Sequence, residues 1–398
     1  MTNWHLARGF RFAGLHCGLR PDPNRLDLAL AVSDGPAVAA GVFTQNRVRA
    51  APVRVCQERL PSAAARAVVV CSGNANACTG ARGLADARRM TALAAEGIGC
   101  AAEDVLVCST GVIGRHLPMP QIEDGVRRAP GRLAASAAAL DDFAHAILTT
   151  DTRIKVATQE VNAGGLDVRL TGVAKGAAMI GPNMATMLAF VFSDAPAAPD
   201  DLRAIAARAA EATFNCVRVE GHTSTNDSLL LFANGQAGAG PLRGDGLARF
   251  EAAVRDVCAE LARAIAADAE GATHLVTIEV EGLRDDGEAR RVARAVADSP
   301  LVKTAIHGAD PNWGRVVSAA GYAGVAFEEE HLSLWLGDLL LYHAGTPQPF
   351  DAATASAYLK RERNVTLRLR FTLGAGRCTF WTCDLTPEYV RLNADYTT

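Results

Sequence analysis

Short β-branched or aliphatic runs, several of them separated by little more than a turn, constrain this chain more than any other feature. They lie at 26–32, 38–44, 67–71, 105–108, 166–170, 187–192, 229–232, 275–280, 332–336, 365–371 and 378–383. Helical patterns fall between them at 81–96, 132–148, 200–214, 247–268 and 288–298. Strands that follow one another directly must pair as hairpins or meanders, so the expected class is α/β (α+β), with paired mixed or antiparallel sheets covered by helices. A doubly wound parallel sheet is excluded. The runs at 365–371 and 378–383, joined around Gly374-Ala375-Gly376, read as an antiparallel hairpin.

The length of 398 residues allows two to three domains at about 150 residues each. Only the Pro- and Gly-containing stretches near 195–200 and 235–245 offer boundaries, and no 20–50-residue repeat is present. With 49% hydrophobic and 21% charged residues, bulk disorder is excluded. A net charge of −3 without a basic run argues against nucleic acid as a partner. No apolar stretch is long enough to span a membrane. The N-terminal MTNWHLARGFRFAG is too polar for a signal-peptide core, so a cytoplasmic location is expected. None of the ten cysteines forms a Cys-x-x-Cys pair, and they read as buried small hydrophobes in a reducing compartment; no metal site is expected. Only four of the 40 basic residues are lysines (Lys155, Lys175, Lys303, Lys360), and a lysine gives up its proton more readily than an arginine.

Six loops rich in Gly, Ser, Thr and Asn stand out, most beside a hydrophobic run: CSGNANACTG (71–80), CSTGVIG (108–114), GVAKGAAMIGPNMATML (172–188), EGHTSTNDS (220–228), AEGAT (269–273) and HGADPNWGR (307–315). Loops at strand ends are where small polar groups and backbone N–H donors converge on a ligand. The segment 172–188 is the least ordinary. Gly172, Gly176, Gly181 and Pro182 disfavour a regular helix, yet the stretch is too apolar for a solvated loop. Thr186 opens the run 187–192. It is read either as a residue suited to a strand or as a nucleophile exposed by chain cleavage, whose freed α-amine, with a pKa of about 7.7–8.0, would serve as base.

The run KGAAMIGPNMATMLAF, with STGVIG, TSTND, GADPNWGR and the C-terminal NADYTT, resembles the ornithine acetyltransferase (glutamate N-acetyltransferase) family of arginine biosynthesis. The resemblance extends from GVFTQNRVRAAPV to the last residue. It implies the fold shared with self-processing aminopeptidases, and self-cleavage between Ala185 and Thr186. The products would be an α chain (1–185) and a β chain (186–398) intertwined in one protomer, assembled as α2β2. It further implies that Thr186 takes the acetyl group from N-acetylornithine and passes it to glutamate, with Thr110 and the Gly111 N–H as the oxyanion hole. Thr150, Lys175, Thr186, Glu270, Asn393 and Thr398 match the family's substrate-binding positions. No cofactor is implied; acetyl-CoA is a co-substrate only in the bifunctional version of the family.

Read from the residues, Glu270 lies at the end of a predicted helix, just before Gly271; Asn393 and Thr398 require a docked tail, while Asp310, Asn312 and Arg315 read as loop scaffolding. The chain departs from the family's usual residues at Cys71, His222, His274 and Ala177-Ala178, none of which is a matched catalytic position. The competing readings are an N-terminal-threonine amidase or aminopeptidase of the same fold, and a silent amino-acid-binding homologue.

Overall fold

The β-branched runs build two mixed sheets. In the computed structural model, residues 4–181 and 187–395 are described, so Ala185, Thr186 and Thr398 lie outside the described residues. The strands are β1 (Phe10–Leu15), β2 (Leu28–Phe43), β3 (Ser62–Asn74), β4 (Val105–Val112), β5 (Lys155–Ala163), β6 (Leu166–Lys175), β7 (Leu188–Ser193), β8 (Val217–Arg218), β9 (Ser228–Ala233), β10 (Leu275–Leu283), β11 (Ser333–Leu336), β12 (Leu339–His343), β13 (Thr346–Pro347), β14 (Asn364–Arg370) and β15 (Gly376–Cys383). The first sheet runs β4-β3-β2-β9-β7-β6-β5, with β1 on β2; the second runs β13-β12-β11-β14-β10-β15-β8. The expected helix-covered mixed sheets are present.

Two expectations about local pairing are corrected. The runs 26–32 and 38–44 belong to one strand, β2, because the intervening Ser33-Asp34-Gly35-Pro36 is absorbed as a shift in register against β3 between Val32 and Ala37. The proposed hairpin of 365–371 with 378–383 does not form, because β10 lies between β14 and β15, parallel to the first and antiparallel to the second. The turn's backbone donors go to β10: Phe371 N bonds Glu281 O at 2.7 Å and Leu373 N bonds Gly282 O at 2.8 Å.

The stretches near 195–200 and 235–245 are not boundaries either. They bond each other, Gly235 N to Ala195 O at 3.1 Å and Leu242 N to Pro196 O at 2.9 Å, on the edge of a single core cluster.

That core has two sides. One face of the first sheet carries Phe10, Phe12, Phe190, Phe192 and Phe232, joined by Phe143 from the helix Ala137–Ala146. The ring centroids of neighbouring pairs stand 5.2 to 6.2 Å apart. The opposite face packs against Gly244–Ala267, whose Phe250, Val254, Val257, Leu261 and Ile265 recur at helical spacing and are all buried. This cluster reaches Leu275 and Cys383 of the second sheet. Helices the sequence reading missed, such as Ala51–Arg59, Pro300–His307 and Pro387–Asp395, have only nine, eight and nine residues, too few turns for a period to register.

The C-terminal helix Pro387–Asp395 is tied down just before it begins. The buried Asp384 Oδ1 accepts Thr273 N at 2.9 Å and His274 N at 2.8 Å. Its Oδ2 accepts the Thr273 hydroxyl and faces His274 Nδ1 at 3.1 Å and His307 Nδ1 at 3.3 Å. Thr386 Oγ1 donates to Gly271 O at 2.8 Å. Gly271 has φ +69°, and a Cβ there would stand 2.6 Å from Tyr389 N, so this close approach requires glycine. Burial pushes Asp384 up, but the bonds from His274 and Thr273 outweigh it and hold the carboxyl down at about 2. A depressed carboxyl stabilises the fold above its unfolded pKa and loses that contribution as pH falls through the folded value. Asp384→Asn is therefore expected to cost about 1–3 kcal/mol near pH 7. The gap from wild type should narrow as pH falls from 4 towards 2, as read by denaturant melts across that range; a gap that does not change with pH would remove the charge from the explanation.

Candidate active site

Lys175 closes β6 and carries a cation into the protein interior. Its side chain is buried, and its Nζ stands 2.6 Å from Thr149 Oγ1, 3.4 Å from Thr110 Oγ1 and 3.9 Å from Asp151 Oδ2. Behind it the charges alternate. Asp151 bonds Lys155 Nζ at 2.6 Å, and Lys155 bonds Asp268 at 2.7 Å, all three buried. Isolated, any of these charges would be costly in the interior; as a row of two cations and two anions they compensate. Burial pushes Asp151 up, but Lys175, Lys155 and the N–H of Gly176 outweigh it and hold it well below the usual carboxylate range. Lys175 is lowered by burial, with Asp151 opposing. Three of the four lysines, Lys155, Lys175 and Lys303, are thus buried and bonded.

Thr110 and Gly111 sit near the end of β4, in register with Ser72 and Gly73 of β3. Gly111 has φ +130°, and a Cβ there would lie 2.3 Å from the Gly73 carbonyl carbon, so no side chain fits. Asn226 fastens the 220–228 loop to this corner, its amide donating to Ala75 O at 2.6 Å and Ser109 O at 2.8 Å. A lysine ammonium only donates, so the Thr110 oxygen accepts from Lys175 and its own hydroxyl proton is left for another partner.

In the sheet, Lys175 pairs with Leu188 of β7, and Leu188 with Ser228 of β9. Met187, which precedes β7, donates its N–H to Asp227 Oδ1 at 3.2 Å. Burial pushes the Asp227 carboxyl well above its ordinary range, and its Oδ2 has no hydrogen-bond partner among the described residues.

These segments surround a cavity of about 190 Å³, lined by Thr110, Gly111, Thr149, Thr150, Lys175, Glu220, Glu270, Tyr389 and Asn393 among others. The sequence-derived positions Thr110, Gly111, Thr150, Lys175, Glu270 and Asn393 therefore meet around one space. Ala185, Thr186 and Thr398 lie outside the described residues. Within the described residues Asn393 reaches the cavity wall: its Nδ2 donates to Glu270 Oε2 at 3.1 Å, while Glu270 N bonds Ala177 O at 2.9 Å. Asn312 caps the helix Trp313–Gly321 and Arg315 bonds Leu301 O at 2.9 Å, which is scaffolding.

The sequence reading missed Thr149, Asp151, Glu220, Asn226, Asp227 and Tyr389. The scarcity of lysine was the one signal for Asp151, since a buried lysine demands a nearby carboxylate. Of the departures from the family's usual residues, His222 and Ala178 line the cavity; His274 serves the tail anchor. Among the described residues no group of His, Cys, Asp and Glu is arranged to hold a metal ion, and no helix is long and apolar enough to cross a membrane.

The chain is similar along nearly its whole length to known proteins. The ArgJ family model matches residues 11–398. A protein of Geobacter sulfurreducens named arginine biosynthesis bifunctional protein ArgJ is 46% identical over 394 residues, covering 98% of this chain and 99% of that protein. A relative of the same name from Rhodopirellula baltica is 44% identical over 400 residues, covering 100% and 97%. The crystal structure of arginine biosynthesis bifunctional protein ArgJ from Bacillus halodurans superimposes with a TM-score of 0.51 at 39% identity, covering 52% of this chain and 98% of that one. With a family model spanning nearly its whole length and relatives this similar end to end, the chain belongs to the ArgJ family.

Proposed function

We propose that this protein is a self-cleaving enzyme of arginine biosynthesis that moves the acetyl group of N-acetylornithine to glutamate through an ester on Thr186. The observation that carries the reading is the convergence of Thr110, Gly111, Lys175, Glu270 and Asn393, from distant parts of the chain, on one cavity. That cavity is lined by charges of both signs, Lys175 and Glu270. An amino acid with a carboxylate at one end and an ammonium at the other complements it.

The steps follow from these groups. Chain cleavage before Thr186 frees its α-amine. That amine takes the Thr186 hydroxyl proton as the oxygen attacks the acetyl carbonyl carbon, forming a C–O bond. The carbonyl electron pair moves to oxygen, and the resulting oxyanion accepts from the Thr110 hydroxyl and the Gly111 N–H. Collapse breaks the C–N bond while the ammonium returns its proton to the leaving nitrogen of ornithine. Glutamate's α-amine then attacks the ester by the same route in reverse. Lys175 would hold the α-carboxylate and Glu270 the distal ammonium. Acyl transfer of this kind needs neither metal nor organic cofactor. An α2β2 assembly, a cytoplasmic location and acetyl-CoA as an alternative donor belong to the same proposal.

The reading commits to three outcomes. Purified protein should run as two fragments, residues 1–185 and 186–398, whereas Thr186→Ala should remain one chain; N-terminal sequencing of the smaller bands checks the junction, and a variant that still splits there points to another nucleophile. Thr110→Ala should lower kcat by about 10²–10³ with little change in KM, because the charge it meets exists only in the transition state; a rise in KM alone would remove Thr110 from catalysis. With N-acetylornithine alone, the enzyme should release one rapid equivalent of ornithine and then slow down, and glutamate should restore fast turnover with N-acetylglutamate as product. Steady release of acetate that is indifferent to glutamate would make the protein a hydrolase instead.

A further inference from the structure

The two substrates of the proposed transfer have opposite charges at the side-chain end, an ammonium on ornithine and a carboxylate on glutamate. A fixed acidic wall suits the first and repels the second. The cavity wall carries two interacting carboxyl groups, Glu270 and Glu220.

Glu220 is held but not neutralised. Ile180 N donates to its Oε1, and its side chain opens to the cavity. Lys303, behind it on the helix Pro300–His307, directs its ammonium at Val219 O, Thr382 Oγ1 and Cys383 Sγ, so its three protons are already committed. Among the described residues, Glu270 from the loop after Gly244–Ala267, Tyr389 from the tail helix and Cys383 of β15 interact with Glu220, and the backbone N–H of His222, on its own loop, donates to it. Tyr389 is pushed up to about 12, mainly by burial, and stays a neutral phenol.

Resting on the acetyl-transfer reading, we propose that Glu220 determines side-chain specificity as a convertible second carboxyl: ionised beside Glu270 when the site holds ornithine's ammonium, protonated and donating when it holds glutamate's side-chain carboxylate. Glu270, already accepting from Asn393, stays the fixed acceptor of the pair. The surroundings suit the exchange. Glu220 is an exposed residue on the cavity wall, yet protein crowds around it, and that crowding, with Glu270 adding repulsion, raises its carboxyl to about 7. Near neutral pH it therefore gains or loses a proton at little cost. Ornithine binding should release a proton from the site, and glutamate binding should take one up.

The sign is fixed for each substrate. Below pH 7 the ionised form is scarce and N-acetylornithine is disfavoured; above pH 7 the protonated form is scarce and glutamate is disfavoured. Each effect tends to about tenfold per pH unit beyond the pKa. Other groups titrate in the same range, Thr186's α-amine among them, so the informative quantity is kcat/KM of wild type divided by that of Glu220→Gln at each pH. Glutamine keeps the acceptor for Ile180 N and cannot ionise. Between pH 6 and 8 this ratio should rise about tenfold for N-acetylornithine and fall by a similar factor for glutamate.

His222→Asn should preserve both slopes. Ratios that are flat, or that move together, overturn the proposal while leaving the transfer reading intact; wild type that transfers no acetyl group overturns both. Should Glu220→Gln fail to fold, calorimetry of wild type with ornithine and with glutamate, in buffers of different ionisation enthalpy, decides instead. Proton release for the first and uptake for the second support the exchange, and equal proton counts end it.

Discussion

The buried row Asp268–Lys155–Asp151–Lys175 is the constraint on which the rest of the site depends. Its distances of 2.7, 2.6 and 3.9 Å join the end of the long helix, the start of β5, the turn before it and the end of β6. Removing one member would leave an unpaired charge inside the protein, a loss of about 3–5 kcal/mol. What the row delivers is a cation at Lys175 whose position is set by neighbours and not by solvent. Because that cation donates to both Thr110 and Thr149, it also fixes the direction of the hydroxyl beside it.

Around this row the cavity is assembled from parts that tolerate little change. Gly111 is pressed against β3 too closely for any side chain, and Gly271 against the tail helix in the same way. Asn226 and Asp384 act as fasteners, each spending its bonds on backbone from a distant segment. The acidic part of the cavity wall is made of two pieces, Glu270 brought by the helix–strand loop and Glu220 by the loop before β9. Polarity along the cavity is thus a property of packing, since no single segment carries both signs into it.

Much of this was legible in the residues. All eleven expected strand runs and all five expected helical patterns correspond to elements of the structure, the helices because long amphipathic periods such as Phe250 to Ile265 can bury only one face. The short motifs at strand ends marked Thr110, Gly111, Lys175 and Glu270. Pairing was less legible. The β14 and β15 runs look like a hairpin because the hydrophobic pattern of a strand says which face is buried and nothing about which strand lies beside it. Helices of eight or nine residues, and β8 and β13 with two each, carry too little periodicity to be seen.

The sequence by itself determined the family, the helix-and-sheet composition and the chemical character of the motif residues, since these reside in residue identity and spacing. Tertiary structure alone decided that Lys155 and Lys303 are buried, that Asp384 anchors the tail, and that Glu220 faces the same cavity as Glu270. Each of those facts arises between residues about 50 to 115 positions apart, where no local pattern records contact. A carboxyl's environment, and hence the proton it keeps or yields, is set by what packs around it.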